Sequence, residues 1–113
     1  MSQTTVAYPE MTNIKMYLTG LDEECARIMG FKKVCWFMGK LCVQIEGDVA
    51  NNHIPWSPTT CASDAMQIMR KYRLSIHPYG IDGWCCSSEH TEAYDGHMLV
   101  AICKSLVAHA KLG

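Results

Sequence analysis

The chain has 113 residues, 49% of them hydrophobic and 19% charged, with ten Lys and Arg against eleven Asp and Glu for a net charge of −1. That length builds one hydrophobic core, and the apolar content is that of a packed globule, not a disordered segment. The missing basic excess argues against a duplex-DNA binder, and no apolar run approaches the roughly 20 residues of a membrane span.

Residues 1–11 are polar and aperiodic and read as a tail ahead of a single domain over 12–113. Ile14, Met16 and Leu18 alternate as in a short strand. "TGLDEECARIMG" predicts a helix, with Thr19 and Asp22 as a capping box, Leu21, Cys25, Ile28 and Met29 on one face, and Gly30 ending it. "VCWFM" and "LCVQIE" flank Gly39–Lys40, which predicts a type II′ hairpin. "GDVANNHIPWSP" reads as a long loop. Ser57 then caps a helix whose first turn holds Pro58, Thr59 and Thr60 and which turns Ala65, Met66, Ile68, Met69 and Tyr72 inward. "RLSIH" and "GWCCS" predict two strands joined by "PYGID", and "SEHTEAYDG" a polar loop. "HMLVAICKSLVAHAKLG" is the cleanest helical pattern, with Leu99, Ile102, Cys103, Leu106 and Ala110 on one face.

Leaving the alternating segment at 14–18 aside, the order is helix, hairpin, helix, two strands, helix. Strands joined by tight turns run antiparallel, so the expected fold is α+β: a four-stranded antiparallel sheet with helices packed on it. Seven cysteines, most within apolar segments and odd in number, with no export pattern at the N-terminus, read as reduced thiols of a cytoplasmic protein.

"ARIMGFKK", "WSP" followed by "DAMQIM", Trp84 in the later hairpin and "AICKSLVAHAK" together resemble the phage ABA-sandwich domain family over residues 16–111. The resemblance implies a helix-sheet-helix sandwich and a phage-encoded protein made inside an infected bacterium. It carries no catalytic residues across. The N-terminal extension, the cysteine content and "SEHTEAYDG" depart from the pattern.

Among chemical constellations, Cys85, Cys86, His90 and His97 invite a metal reading. Adjacent strand residues point to opposite faces, however, and structural zinc sites favour cysteines two to four residues apart, so no metal and no cofactor is expected, with one of the two thiols in the core and one near the surface. No family signature surrounds a Cys–His pair. Asp82, Glu89, Glu92 and Asp95 all fall in loops and form no recognisable acid–base pair. The remaining signal is "PWSPTT": N–H groups and hydroxyls of Ser57, Thr59 and Thr60 at a helix start make an anion site, or else simply a cap. Trp56, with Trp84 and Tyr79, supplies stacking surface, and Asn52, beside Asn51 and His53, supplies donors.

With the phage origin that the resemblance implies, the expectation from these residues is a non-enzymatic counter-defence protein, a sponge for a cyclic nucleotide or ADP-ribose-type signal, homo-oligomeric, with no membrane and no duplex-DNA partner. The alternatives are a protein–protein inhibitor of a host defence complex, anchored by Trp36, Tyr8 or Tyr94, and, ranking last, a hydrolase of the same signals.

Overall fold

The computed structural model describes residues 2–31, 33–44 and 53–112, with side-chain surroundings from residue 14 onward. In chain order it contains α1 (Ser2–Met29), β1 (Lys33–Phe37), β2 (Lys40–Gln44), β3 (Ile54–Pro55), α2 (Ala62–Tyr72), β4 (Ser75–Tyr79), β5 (Gly83–Ser87), β6 (Glu92–Asp95) and α3 (Met98–Leu112). The class is α+β. The strands form two separate antiparallel three-stranded sheets, β1-β2-β3 and β4-β5-β6, and not the expected single four-stranded sheet. Each predicted hairpin recruits a third strand of its own, from segments that read as loops. Ile54–Pro55 pairs with β2, and Glu92–Asp95, with Ala93 buried between exposed Glu92 and Tyr94, pairs with β5. None of these helices is long and apolar enough to cross a membrane.

The first helix is longer than its sequence pattern suggests. It begins at Ser2, within the expected tail, and carries Ile14, Met16 and Leu18, so the possible strand there is not formed. Thr19 and Asp22 consequently sit mid-helix and cap nothing. Leu21, Cys25, Ala26 and Met29 are buried at helical spacing. Gly30 ends the helix at φ +79°, a conformation that costs glycine little. The last carbonyls of α1 are then satisfied from α2: the Tyr72 hydroxyl donates to Ile28 O at 3.0 Å and Lys71 Nζ to Met29 O. A cation at a helix C-terminus also suits the dipole.

Phe37 pairs with Lys40, which moves the first hairpin's turn to Met38–Gly39. Both residues have positive φ, 53° and 78°, so the turn is type I′ and not the expected II′. In the second hairpin Tyr79 pairs with Gly83, where a Cβ would lie 2.7 Å from the Tyr79 carbonyl oxygen, so only glycine fits.

α3 is the hub of the core, packing on α1, α2, β5 and β6. It buries Val100, Ala101, Ile102, Cys103, Ser105 and Leu106, while Ala110, expected inward, is exposed in a last turn that runs past the core. Both sheets feed the same cluster, with Leu41 and Val43 from one and Cys86 from the other. All seven thiols are free. Cys85 and Cys86 are both buried, against the expectation of one near the surface. Cys86 lies on the face of Ile76 and Ala93, and Cys85 on the opposite face between His77 and Tyr94.

Candidate functional site

The segment Trp56–Cys61 is not the first turn of α2. Ser57 O accepts the Thr60 and Cys61 N–H groups at 3.0 and 2.7 Å, closing a separate turn, and the helix starts after Cys61. Cys61, extended at φ −115° and ψ 111°, occupies the cap position and makes no side-chain cap bond. Ser57 therefore does not cap α2. Its own N–H donates to Asp64 Oδ2 at 2.9 Å, so the carboxylate of the first helical turn reaches back over the bend.

Of the three residues expected to donate to an anion, Thr59 bonds a carboxylate of the chain itself, that of Asp22. Thr59 N–H donates to Asp22 Oδ1 at 2.9 Å, and Thr59 Oγ1 donates to Asp22 Oδ2 at 3.0 Å. Trp56 Nε1 donates to the Asp22 carbonyl at 3.0 Å. Burial pushes the Asp22 carboxyl above its ordinary value, and the two bonds from Thr59 pull it part of the way back. Trp56 is 2% exposed and meets Phe31 edge-on at 4.8 Å between ring centroids. It plugs the core edge and presents no free face for a base. Met66, expected inward on α2, is half exposed, whereas Ala65 and Ile68 are buried and Met69 and Tyr72 pack against the core.

Beside this clamp lies a cleft of about 400 Å³ between α1, the β1–β2 hairpin and the turn. Pro55, Trp56, Ser57, Thr59 and Thr60 form one side; Lys15, Leu18, Thr19 and Asp22 come from α1; Trp36, Lys40 and Leu41 come from the hairpin. Trp36 is 51% exposed and is the cleft's open aromatic surface. Lys15 and Lys40 are exposed, and neither forms an ion pair with a carboxylate among the described residues. Two lysines thus line the cleft with one carboxylate, Asp22, both oxygens of which are already bonded to Thr59.

Of the residues singled out from sequence, Trp56, Ser57, Thr59 and Thr60 meet here. Tyr79 and Trp84 belong to the other sheet and do not line this cleft: Tyr79 packs on Tyr94 at 4.7 Å, and half-buried Trp84 packs against the core. His53 stacks on Phe37 at 4.3 Å. Asn51 and Asn52 lie outside the described residues. Lys15, Trp36 and Lys40 were not among the candidates for a ligand. Once α1 is known to be continuous, the spacing of Lys15, Thr19 and Asp22 places all three on one helix face.

Elsewhere Glu92 and Asp95 bond to groups of the chain itself. Glu92 accepts from the Tyr94 hydroxyl at 2.7 Å, a bond that pushes the phenol above its ordinary value. Asp95 accepts the His97 N–H at 2.8 Å at the start of α3 and lies 3.4 Å from Lys104 Nζ. Among the described residues, no group of three His, Cys, Asp or Glu side chains is placed to hold a metal ion. No protein-family model matches the chain, and no curated protein matches it.

Proposed function

We propose that the protein is a non-catalytic binding protein that holds a small anionic, nucleotide-type ligand in the cleft between α1, the first hairpin and the Pro55–Thr60 turn. The observation that carries this reading is the pair of lysines, Lys15 and Lys40, bordering a cleft that also offers the exposed ring of Trp36. An ammonium group on either wall matches a phosphate, and an indole face matches a base. A cleft of this volume is in the range that small-molecule ligands occupy. In the setting that the sequence resemblance implies, the cytoplasm of a phage-infected cell, the role is that of a counter-defence sponge for a cyclic nucleotide or ADP-ribose-type signal. A homo-oligomer with pockets shared between protomers completes the proposal; light scattering at the 12.7 kDa monomer mass would remove that part of it.

The test is to incubate the protein with a panel of cyclic nucleotides and ADP-ribose derivatives, then recover the ligand by heating. Intact ligand in the recovered fraction supports sequestration, and altered ligand means an enzyme. Trp36→Ala should weaken binding by about 1–3 kcal/mol, the worth of a stacked base, and leave the fold intact because the ring is half exposed. Lys15→Glu and Lys40→Glu should each abolish uptake. Normal uptake by all three variants sinks the assignment.

A second reading has an observation of its own. Trp36, Phe37 and Met38 are 51%, 47% and 86% exposed in succession at the hairpin end, an aromatic tip of the kind that anchors protein interfaces. Loss of inhibition of a host defence complex on Met38→Asp, with ligand uptake absent from the outset, would favour that reading.

A further inference from the structure

The binding reading uses none of the seven thiols. Five are buried, and only Cys35 and Cys61 are partly open. Within the core, burial pushes Cys86 above the ordinary thiol value, and the hydrogen bond with Cys25 together with burial does the same to Cys103. Thiols held protonated and away from solvent are chemically inert. Cys35 and Cys42 are placed differently, because they occupy directly opposed positions on the β1–β2 ladder.

Opposed residues on an antiparallel ladder project to the same face, with Cα atoms about 4.5 Å apart in one pair type and about 5.5 Å in the other. Both separations fall inside the roughly 4.4–6.8 Å that a disulfide spans. Access is asymmetric: Cys35 is partly open on the edge strand, and Cys42 is 3% exposed on the central one. The Cys42 thiol now makes only a weak contact with Lys40 O at 3.6 Å, which rotation about its Cα–Cβ bond releases toward Cys35. One thiol that solvent reaches, beside one that it does not, is the arrangement of an attacked and a resolving cysteine.

We propose that Cys35 and Cys42 form a dithiol modification site that a hydroperoxide closes to a disulfide within the hairpin. In the first step the Cys35 thiolate attacks one oxygen of hydrogen peroxide. The O–O bond breaks, Cys35 becomes a sulfenic acid, and the departing hydroxide takes up the thiol proton as water. In the second step the Cys42 sulfur attacks the Cys35 sulfur, the S–O bond breaks, and hydroxide leaves with the Cys42 proton as a second water. Two thiols have then given up two protons and two electrons, and one peroxide has become two waters.

The ladder pair Trp36–Leu41 is next to Cys35–Cys42 and projects to the opposite face. The bridge therefore ties together the two strands that wall the cleft. The assignment rests on the ladder alone and does not depend on what the cleft holds.

The test treats the full chain with hydrogen peroxide at neutral pH, then denatures it and alkylates the remaining thiols. The expected product is two hydrogen masses lighter, with five of the seven thiols still alkylatable and one cross-linked peptide joining positions 35 and 42. A reductant should restore all seven, and closing the loop should raise the thermal midpoint by several degrees. Neither Cys35→Ser nor Cys42→Ser should form the bridge. Should buried Cys42→Ser prove unstable, Cys35→Ser, at a half-exposed position, decides the matter. Oxidation of Cys35 to a sulfinic acid with Cys42 still alkylatable overturns the proposal, as does a cross-link that survives in Cys35→Ser.

Discussion

Replacing Asp22 by Ala should destabilise the fold through a residue seven positions away from the nearest end of its helix. Asp22 is 7% exposed and Thr59 1%, so the Thr59 N–H and hydroxyl cannot turn to water when their acceptor is removed. Each buried donor left without a partner costs about 1–3 kcal/mol. Two such donors set a gross loss of about 2–6 kcal/mol. Opposing it, Ala relieves the cost of holding a desolvated carboxylate, the cost that raises the Asp22 pKa. The net expectation is a loss of about 2–4 kcal/mol. Asp22→Asn keeps an acceptor for the Thr59 N–H and should lose about 1 kcal/mol. Urea unfolding followed by tryptophan fluorescence measures both, because Trp56 donates to the Asp22 carbonyl and reports on the same contact. A loss below about 0.5 kcal/mol for Asp22→Ala, the level of ordinary surface changes, would refute the clamp.

The sign of the Asp22 pH dependence follows from the same burial. Its folded pKa lies above 3.8, so the folded state holds the proton more tightly than the unfolded chain does. Wild-type stability relative to Asp22→Asn should fall as pH rises from 3.8 through the raised folded value, then level off; a rise over that interval refutes the assignment. Leu106→Ala, at a fully buried position of α3, should cost about 2–5 kcal/mol in the same unfolding assay. Met38→Asn puts Asn-Gly into the type I′ turn and should stabilise by about 1 kcal/mol, since Met tolerates φ 53° poorly; an unchanged or lowered midpoint would count against the turn. Brief iodoacetamide treatment of the native protein should label Cys35 and Cys61 ahead of the five buried thiols, as read by peptide mass mapping.

Local rules made much of the secondary structure legible in the sequence. α3, the C-terminal half of α1 with Gly30 and the body of α2 are where period and breaker residues place them, and both expected strand pairs form hairpins, with turns shifted from the expected residues, because those signals act within a few residues. The α+β class followed from short connections between strands, which force antiparallel pairing. Tertiary contact decided the rest. Ile54–Pro55 and Glu92–Asp95 are strands only because β2 and β5 present free edges to them, and nothing in two or four residues encodes that. For the same reason the number of sheets was not readable.

The site divides along the same line. "PWSPTT" displays the donors of an anion nest in its sequence, but the carboxylate that fills it comes from Asp22, 37 positions earlier in the chain. Chain separation hides that partner, and burial then changes the meaning of Trp56 from a stacking surface to a plug. Lys15, Trp36 and Lys40 become neighbours of the turn only once α1 and the hairpin pack around it. Residue types and local geometry are properties of a few consecutive residues and can be read there; which charge meets which donor is a property of the packed chain.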